Sequence, residues 1–333
     1  MTTGARADWA TGRIVATAPV ARDVQRITLQ RPARGRAAPG SHLDVRVRVG
    51  DRTDVRSYSI VESDEDGSLL TISVLRVPRS RGGSVFMHSL GPGDEIEVTQ
   101  PLQNFPLSVS TPRQVLLAGG IGITAVAAMA RVLRGVGADY TLVYVGRSRE
   151  RMAYVDELAR LHGDRLQLHV DADRTPLDVA GLVGSIVRDP LGMATELYMC
   201  GPIRLMDAVR REWERAGLPA VNLRFETFGS SGWFQPEEFV VTLPERAVTE
   251  TVRSDETILE ALTRAGVDLM YDCRKGECGL CLLDVEQVDG TLDHRDVFLS
   301  AAQKAGGRSI STCVSRVAAR AGSSTPTLSL SLP

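Results

Sequence analysis

The chain has 333 residues, an apolar share of 43% and a formal net charge of −2. That length suits two or three domains with cores of their own, and so small a charge argues against nucleic acid as the main partner. No apolar run reaches the about 18 residues of a membrane span, and Met1–Ala10 carries Arg6, Asp8 and Trp9 instead of an apolar leader, so a soluble, cytoplasmic protein is expected.

Residues 9–101 read as strands. Arg13–Ala18, Val24–Leu29, His42–Val49, Arg56–Val61, Leu69–Val77 and Glu95–Val98 alternate or are rich in β-branched residues, and Ala37–Gly40 and Gly91–Asp94 are turn clusters. Six short antiparallel strands in this length predict a closed barrel. One strand carries Arg56-Ser57-Tyr58-Ser59. Further on, Arg76-Val-Pro-Arg-Ser-Arg-Gly-Gly-Ser84 offers arginines and amides and no aromatic, and its Gly82-Gly83-Ser84 end precedes a short helix. Together these supply a ring to lie against a flavin, a hydroxyl for its N5 and a cradle for a terminal phosphate.

After Pro112 strands and helices alternate. Val115–Ala118, Tyr140–Val145, Leu166–Val170, Leu197–Cys200 and Val221–Phe225 are expected strands. Thr124–Leu133, Arg151–Leu161, Leu177–Val187 and Ile203–Ala216 are expected helices, and the alternation predicts a doubly wound parallel sheet. The first strand runs into Gly119, Gly120 and Gly122, then Ile123 and Thr124. Such a turn lets backbone approach a pyrophosphate at a helix start. Tyr198-Met-Cys-Gly-Pro202 closes a later strand, where ligands of open α/β sheets bind. After the second strand stand Arg147, Ser148 and Arg149, where a carboxylate would normally accept ribose hydroxyls.

Phe228–Pro236 has linker composition. Beyond it come a hairpin (Phe239–Leu243, Val248–Val252), a short helix (Ile258–Ala265), strands Leu282–Val288 and Ser309–Val314, a loose tail at Ala318–Pro326, and an alternating Leu328–Leu332 able to close the last sheet. From Glu237 onward ten Lys/Arg face fifteen Asp/Glu, so this third carries −5 and the rest +3.

Four of the five cysteines lie here. Cys273, Cys278 and Cys281 are spaced C-x4-C-x2-C, and Cys313 follows 32 residues later. That is the plant-type [2Fe–2S] spacing, with Gly276 and Gly279 free to turn amides toward sulfur. A zinc ribbon would show paired C-x2-C knuckles; structural zinc and free thiols are the weaker alternatives. The five histidines are scattered without ligand spacing, and no Ser/His/Asp or paired-carboxylate constellation stands out.

Arg56–Ser59, Gly82–Ser84, Asn104-Phe-Pro106, Gly119–Thr124, Cys200-Gly-Pro202, Phe225-Glu-Thr-Phe228 and the cysteine loop, in this order, resemble the phthalate dioxygenase reductase family over nearly the whole chain. The resemblance implies an FMN-binding barrel (1–110), an α/β NAD-binding domain (111–229), a linker (230–236) and an α+β (β-grasp) ferredoxin domain (237–333). It implies FMN, NADH and a [2Fe–2S] cluster, electron delivery to a terminal oxygenase or demethylase, and a monomer.

Residue by residue, Arg56 and Ser84 would hold the phosphate with Gly83, and Tyr58 would flank the flavin. Ser59 would face N5, Thr124 would sit near flavin and nicotinamide, Cys200 beside the nicotinamide, and Phe225 over the ring. Ser57, Arg76, Gly82, Arg147, Ser148, Gly201 and Pro202 would complete the two nucleotide sites. Relatives often have proline after the threonine; Ala125 stands here. Within this class the alternative is an FAD- and NADPH-dependent reductase; outside it, a zinc-stabilised binding protein without turnover. Asp272, Glu277 and Asp284 are expected to steer a basic partner.

Overall fold

A computed structural model describes residues 8–33, 35–77, 81–229, 231–320 and 325–332. The N-terminal Met1–Ala7, Pro78–Ser80 of the arginine-rich segment, Ser230 of the linker and Ala321–Ser324 of the loose tail lie outside the described residues. The chain divides into two compact units: Met1–Gly201 with Glu212–Glu226, and Pro202–Arg211 with Thr227–Pro333.

In the first unit, β1 (Trp9–Ala21), β2 (Val24–Gln30), β3 (Ser41–Val49), β4 (Arg52–Ser63) and β5 (Leu69–Leu75) precede α1 (Gly83–Ser89), β6 (Glu95–Thr99) and the two-residue β7 (Leu102–Gln103). The order β4-β5-β2-β1-β6-β3, closed by pairing of β3 with β4, is a six-stranded antiparallel barrel, with β7 added on β3. Alternation drives closure: Leu43, Val45 and Val47 of β3 and Ile27 and Leu29 of β2 are fully buried, while Asp44, Arg46 and Thr28 between them are only half-buried.

The parallel sheet follows. It is built from β8 (Arg113–Gly119), α2 (Ile123–Gly135), β9 (Tyr140–Gly146), α3 (Val155–His162), β10 (Leu166–Val170), α4 (Val179–Arg188), β11 (Thr195–Cys200), α5 (Ile203–Arg215) and β12 (Leu223–Glu226). The order β10-β9-β8-β11-β12 places the topological switch between β8 and β11. Two expected elements are shorter. Arg149–Arg151 forms a 3-10 turn and α3 begins only at Val155, because Tyr154 adopts φ 65 and bonds the Ser73 hydroxyl of β5. Ala220–Asn222 is likewise a 3-10 turn, and β12 starts at Leu223.

In the second unit β13 (Phe239–Leu243), β14 (Val248–Val252), α6 (Ile258–Arg264), β15 (Leu282–Asp289), β16 (Thr291–Asp293), α7 (Ala301–Gly306), β17 (Ser309–Ser311), β18 (Arg316–Ala318) and β19 (Thr327–Ser331) form an α+β module. Its sheet runs β14-β13-β19-β15-β17, with β16 and β18 paired separately. The alternating C-terminal segment does more than close the sheet. As β19 it lies between β13 (parallel) and β15 (antiparallel), and Leu328 and Leu330 are fully buried against Ile258 and Leu262 of α6. The expected strand Ser309–Val314 also ends early, at Ser311. Thr312–Val314 turns instead, because the Ser311 carbonyl accepts the amides of Val314 (3.4 Å) and Ser315 (3.0 Å). Cys313 therefore sits on a turn, not on a strand.

Candidate functional site

The barrel's contribution comes from β4. In register with β3, Val45 faces Arg56 and Leu43 faces Tyr58, so these two side chains share the face of buried aliphatics. Ser57 and Ser59 point the other way. Tyr58 packs on the barrel core, and burial pushes its phenol well above the usual range, against the pull of Arg56. The Arg56 Nη1 pairs with Asp54 at 2.6 Å and donates to the Val55 carbonyl at 2.8 Å. Its Nη2 is buried with no hydrogen-bond partner among the described residues.

Gly83, at the start of α1, explains how Arg56 lies there. A Cβ on Gly83 would stand 2.9 Å from Arg56 Cγ, and one on Gly82 (φ +85) 2.7 Å from Val49 Cγ1. Ser84 accepts the Val77 amide at 3.1 Å, while the exposed Arg76 donates its own amide to the Asp23 carbonyl at 2.7 Å. The Ser57 hydroxyl is engaged with Asp44, at 2.5 Å on the outer face.

The sheet supplies a crevice at its switch point. Cys200 of β11 lies beside Ala118 of β8, so the glycine turn and Cys200-Gly201-Pro202 leave the sheet side by side. Glycine is required at the contact. A Cβ on Gly122 would fall 2.1 Å from the Cys200 carbonyl oxygen, and one on Gly201 3.0 Å from Gly119 Cα. Gly120 holds φ +54. The buried Thr124 donates its hydroxyl to the Ile121 carbonyl at 2.9 Å, which holds the turn ahead of Ile123. Arg147 and Ser148 follow β9, the first exposed and the second half-buried.

Phe225, half-buried on β12, pairs with Met199; the next pair is Cys200 with Glu226. Glu226 is 3% exposed, and its Oε2 accepts the hydroxyl of buried Ser59 at 3.5 Å. A carboxylate thus joins the barrel serine, with Cys200 opposite it in the sheet.

The cysteine loop lies in the second unit. Gly276 (φ +77) and Gly279 (φ +76) turn the chain so that Lys275 and Glu277 amides donate to the Cys273 sulfur at 3.4 and 3.3 Å. The Ser311 hydroxyl lies 3.5 Å from the Cys281 sulfur. Cys281 and Cys313 pack in one buried cluster with Leu259 and Val314, and the Cys313 thiol interacts with those of Cys273 and Cys281. Hydrogen bonding from Cys313, with the loop amides, holds Cys273 down to about 4; Cys313, Ser311 and Thr312 hold Cys281 down to about 6. Cys313, between these two thiolates, is pushed up, and burial raises Cys278. Among the described residues no three His, Cys, Asp or Glu side chains stand ready to hold a single metal ion. The fifth cysteine, Cys200, is in the first unit.

Residues 241–318 match the 2Fe-2S iron-sulfur cluster binding domain. The chain is 37% identical to a phenoxybenzoate dioxygenase subunit beta of Ectopseudomonas oleovorans, over 96% of each chain. It is 33% identical to a vanillate O-demethylase oxidoreductase of a Pseudomonas species, over 89% of this chain and 93% of that one. Among solved structures, phthalate dioxygenase reductase superposes with a TM-score of 0.70 at 30% identity, over 97% of this chain and 98% of the other. The chain belongs to the phthalate dioxygenase reductase family. It also matches an intact type IV self-sufficient cytochrome P450 monooxygenase (TM-score 0.64, 33% identity), spanning 41% of that longer chain.

Membership of the family makes the chain a flavin and iron–sulfur oxidoreductase with a nucleotide-binding domain, and the expected fold class stands. Two participants escaped the sequence reading. Glu226 lay in plain view inside Phe225–Phe228, but nothing local says that a strand-end glutamate reaches a barrel serine. Asp54 pairs with both Arg56 and Arg81, which outweigh its burial and keep its carboxyl below the usual range. The signal was the Asp-x-Arg alternation on one strand.

Proposed function

We propose that the chain takes hydride from NADH onto FMN and passes single electrons, through a [2Fe–2S] cluster on Cys273, Cys278, Cys281 and Cys313, to a separate terminal oxygenase or demethylase. What supports this reading is the cysteine loop with Cys313, inside the segment that matches a 2Fe-2S cluster binding domain, in the same polypeptide as a glycine crevice suited to a dinucleotide. Flavin supplies the chemistry that links a two-electron donor to a one-electron acceptor.

The protein's residues do the rest. Gly119, Gly120 and Gly122 admit the pyrophosphate, and Cys200 with Gly201 and Pro202 lines the nicotinamide end. Phe225 covers the flavin ring and Tyr58 flanks it. Ser59 presents its hydroxyl to N5, and Glu226 orients that hydroxyl from behind. FMN is favoured because the buried Nη2 of Arg56 beside Gly83, without a hydrogen-bond partner among the described residues, suits a terminal phosphate.

The partner approaches the cluster loop. Of the three steering acids, Glu277 accepts the Thr227 amide at 2.7 Å and Asp284 the Ser309 hydroxyl at 3.1 Å, so both also hold structure together. Asp272 is exposed.

Arg56→Ala tests the flavin site. A charge-assisted bond to phosphate is worth about 1.5–3 kcal/mol, so flavin affinity should fall about 10- to 150-fold while iron content holds. Flavin released by heat from the unaltered protein should run as FMN on chromatography; recovered FAD contradicts the reading.

A further inference from the structure

We propose that Arg131 is a positioning residue for hydride transfer, fixing the helix that follows the glycine turn against the barrel strand of the flavin residues. The inference rests on the NADH and flavin reading above and assigns its geometry to one side chain.

The barrel offers Arg131 an acceptor because β4 carries one residue too many. In its ladder with β5, Ile60 faces Ile72 and Glu62 faces Thr71, so Val61 is the extra residue of a bulge. A bulged residue is left out of the ladder, and here its carbonyl accepts Nη1 of Arg131 at 2.9 Å. Val61 lies just beyond Ser59, on the strand that also carries Arg56 and Tyr58. Arg131 lies on α2, about two helical turns beyond Thr124. One guanidinium therefore joins the flavin strand to the helix of the nucleotide crevice.

The rest of its fork is held as well. Nη2 meets Glu62 of β4 at 3.1 Å and Glu157 of α3 at 2.5 Å, and Glu62 also pairs with Arg26 of β2. The Arg131 and Glu157 side chains are 25% and 27% exposed, so salt screens this pair less than an open surface pair. Close seating of the helix adds to the tie. A Cβ on Gly40, ahead of β3, would stand 2.6 Å from Met129 Cε of α2. Arginine suits the place because its planar fork reaches a carbonyl and two carboxylates together, which the point charge of an ammonium does not. Hydride transfer needs the reacting atoms about 3–3.5 Å apart, and a slackened α2 loses that distance while both cofactors stay bound.

The test follows flavin bleaching by NADH in anaerobic rapid mixing, with the full chain carrying flavin and cluster. Arg131→Met should lower the limiting rate about tenfold or more, since about 1 Å of displacement costs about hundredfold. Half-saturation by NADH and flavin content should stay within about twofold, the mark of an interaction that serves the transition state. Deuterium at the transferred position of NADH should slow the variant further, which identifies hydride transfer as the step affected. Arg131→Lys keeps the charge but not the fork, so it should slow the same step at least about threefold. It also carries the test should Arg131→Met not fold. Amide hydrogen exchange in α2, read without nucleotide, should quicken in both variants. Arg151→Gln removes an exposed pair with Asp23, 3.0 Å apart between barrel and sheet, and should change none of these. Limiting rates within about twofold of the unaltered protein in both Arg131 variants overturn the proposal, as does a fall matched by lost flavin. Full speed in Arg131→Lys alone overturns the part given to the Val61 carbonyl. Failure of NADH to bleach the unaltered protein overturns the proposed function itself, an outcome separate from the variants.

Discussion

Cys313→Ser is expected to strip the chain of its iron and of electron delivery to a protein acceptor, while leaving its reaction with NADH. The physical reason is the position of Cys313. It packs beside Cys281 in a buried cluster, its thiol interacts with both Cys273 and Cys281, and burial keeps competing water away. An oxygen ligand there breaks contact with two partners at once. The unaltered protein should hold about two irons and two acid-labile sulfides. Loss of a direct ligand should exceed the about 10- to 100-fold cost of losing an outer-shell partner. Cys200→Ser is the matching control: it should keep its iron, because Cys200 lies in the other unit. Iron and sulfide analysis, with ferricyanide reduction by NADH measured beside transfer to the partner, reads both outcomes. Iron lost from Cys200→Ser and kept in Cys313→Ser would reverse the assignment.

Gly122→Ala should have the second large effect. Its new methyl would stand 2.1 Å from the Cys200 carbonyl oxygen and 2.5 Å from the carbonyl carbon, and backbone cannot rotate away as a side chain does. The glycine turn and the Cys200 strand end must separate. Overpacking of this kind costs about 3 kcal/mol or more, visible as a lower midpoint in urea. A shift of about 1 Å in a positioned reactant costs about hundredfold in rate, so kcat/KM for NADH should fall by that order. Gly135→Ala, at the far end of the helix that follows Gly122 and with nothing within 4 Å, should leave both quantities near their starting values. Equal behaviour of the two variants would mean that this close approach does not shape the nucleotide crevice.

The parts of the fold that were legible in the sequence are those set by local pattern. The six barrel strands announce themselves by alternation, and β13 and β14 match their expected bounds. What stayed hidden depends on distant neighbours. The alternation of β19 shows a half-buried strand, but its central place is fixed by pairing with β13, more than 80 residues earlier, which no local pattern encodes. Tyr154 reads as helix until its left-handed conformation, stabilised across to Ser73, is seen. The pattern of Ser309–Val314 suggests a strand through Cys313, but the Ser311 carbonyl turns the chain there instead. In the site, single residues with strong local signatures were legible: the glycine turn, the cysteine spacing, Arg56 beside Gly83. Glu226 was not, since an acid at a strand end declares nothing until its partner, Ser59, is in place.

The most direct test is an anaerobic titration of the purified chain with NADH, followed by visible absorbance and electron paramagnetic resonance. A flavin that takes two electrons and a [2Fe–2S] cluster that takes one should together accept about three electrons per chain. The bleached protein should then return electrons one at a time to its oxygenase partner. A colourless protein, or one whose iron stays oxidised while only two electrons are taken up, would contradict the transfer of electrons from nicotinamide through flavin to the thiol-held cluster.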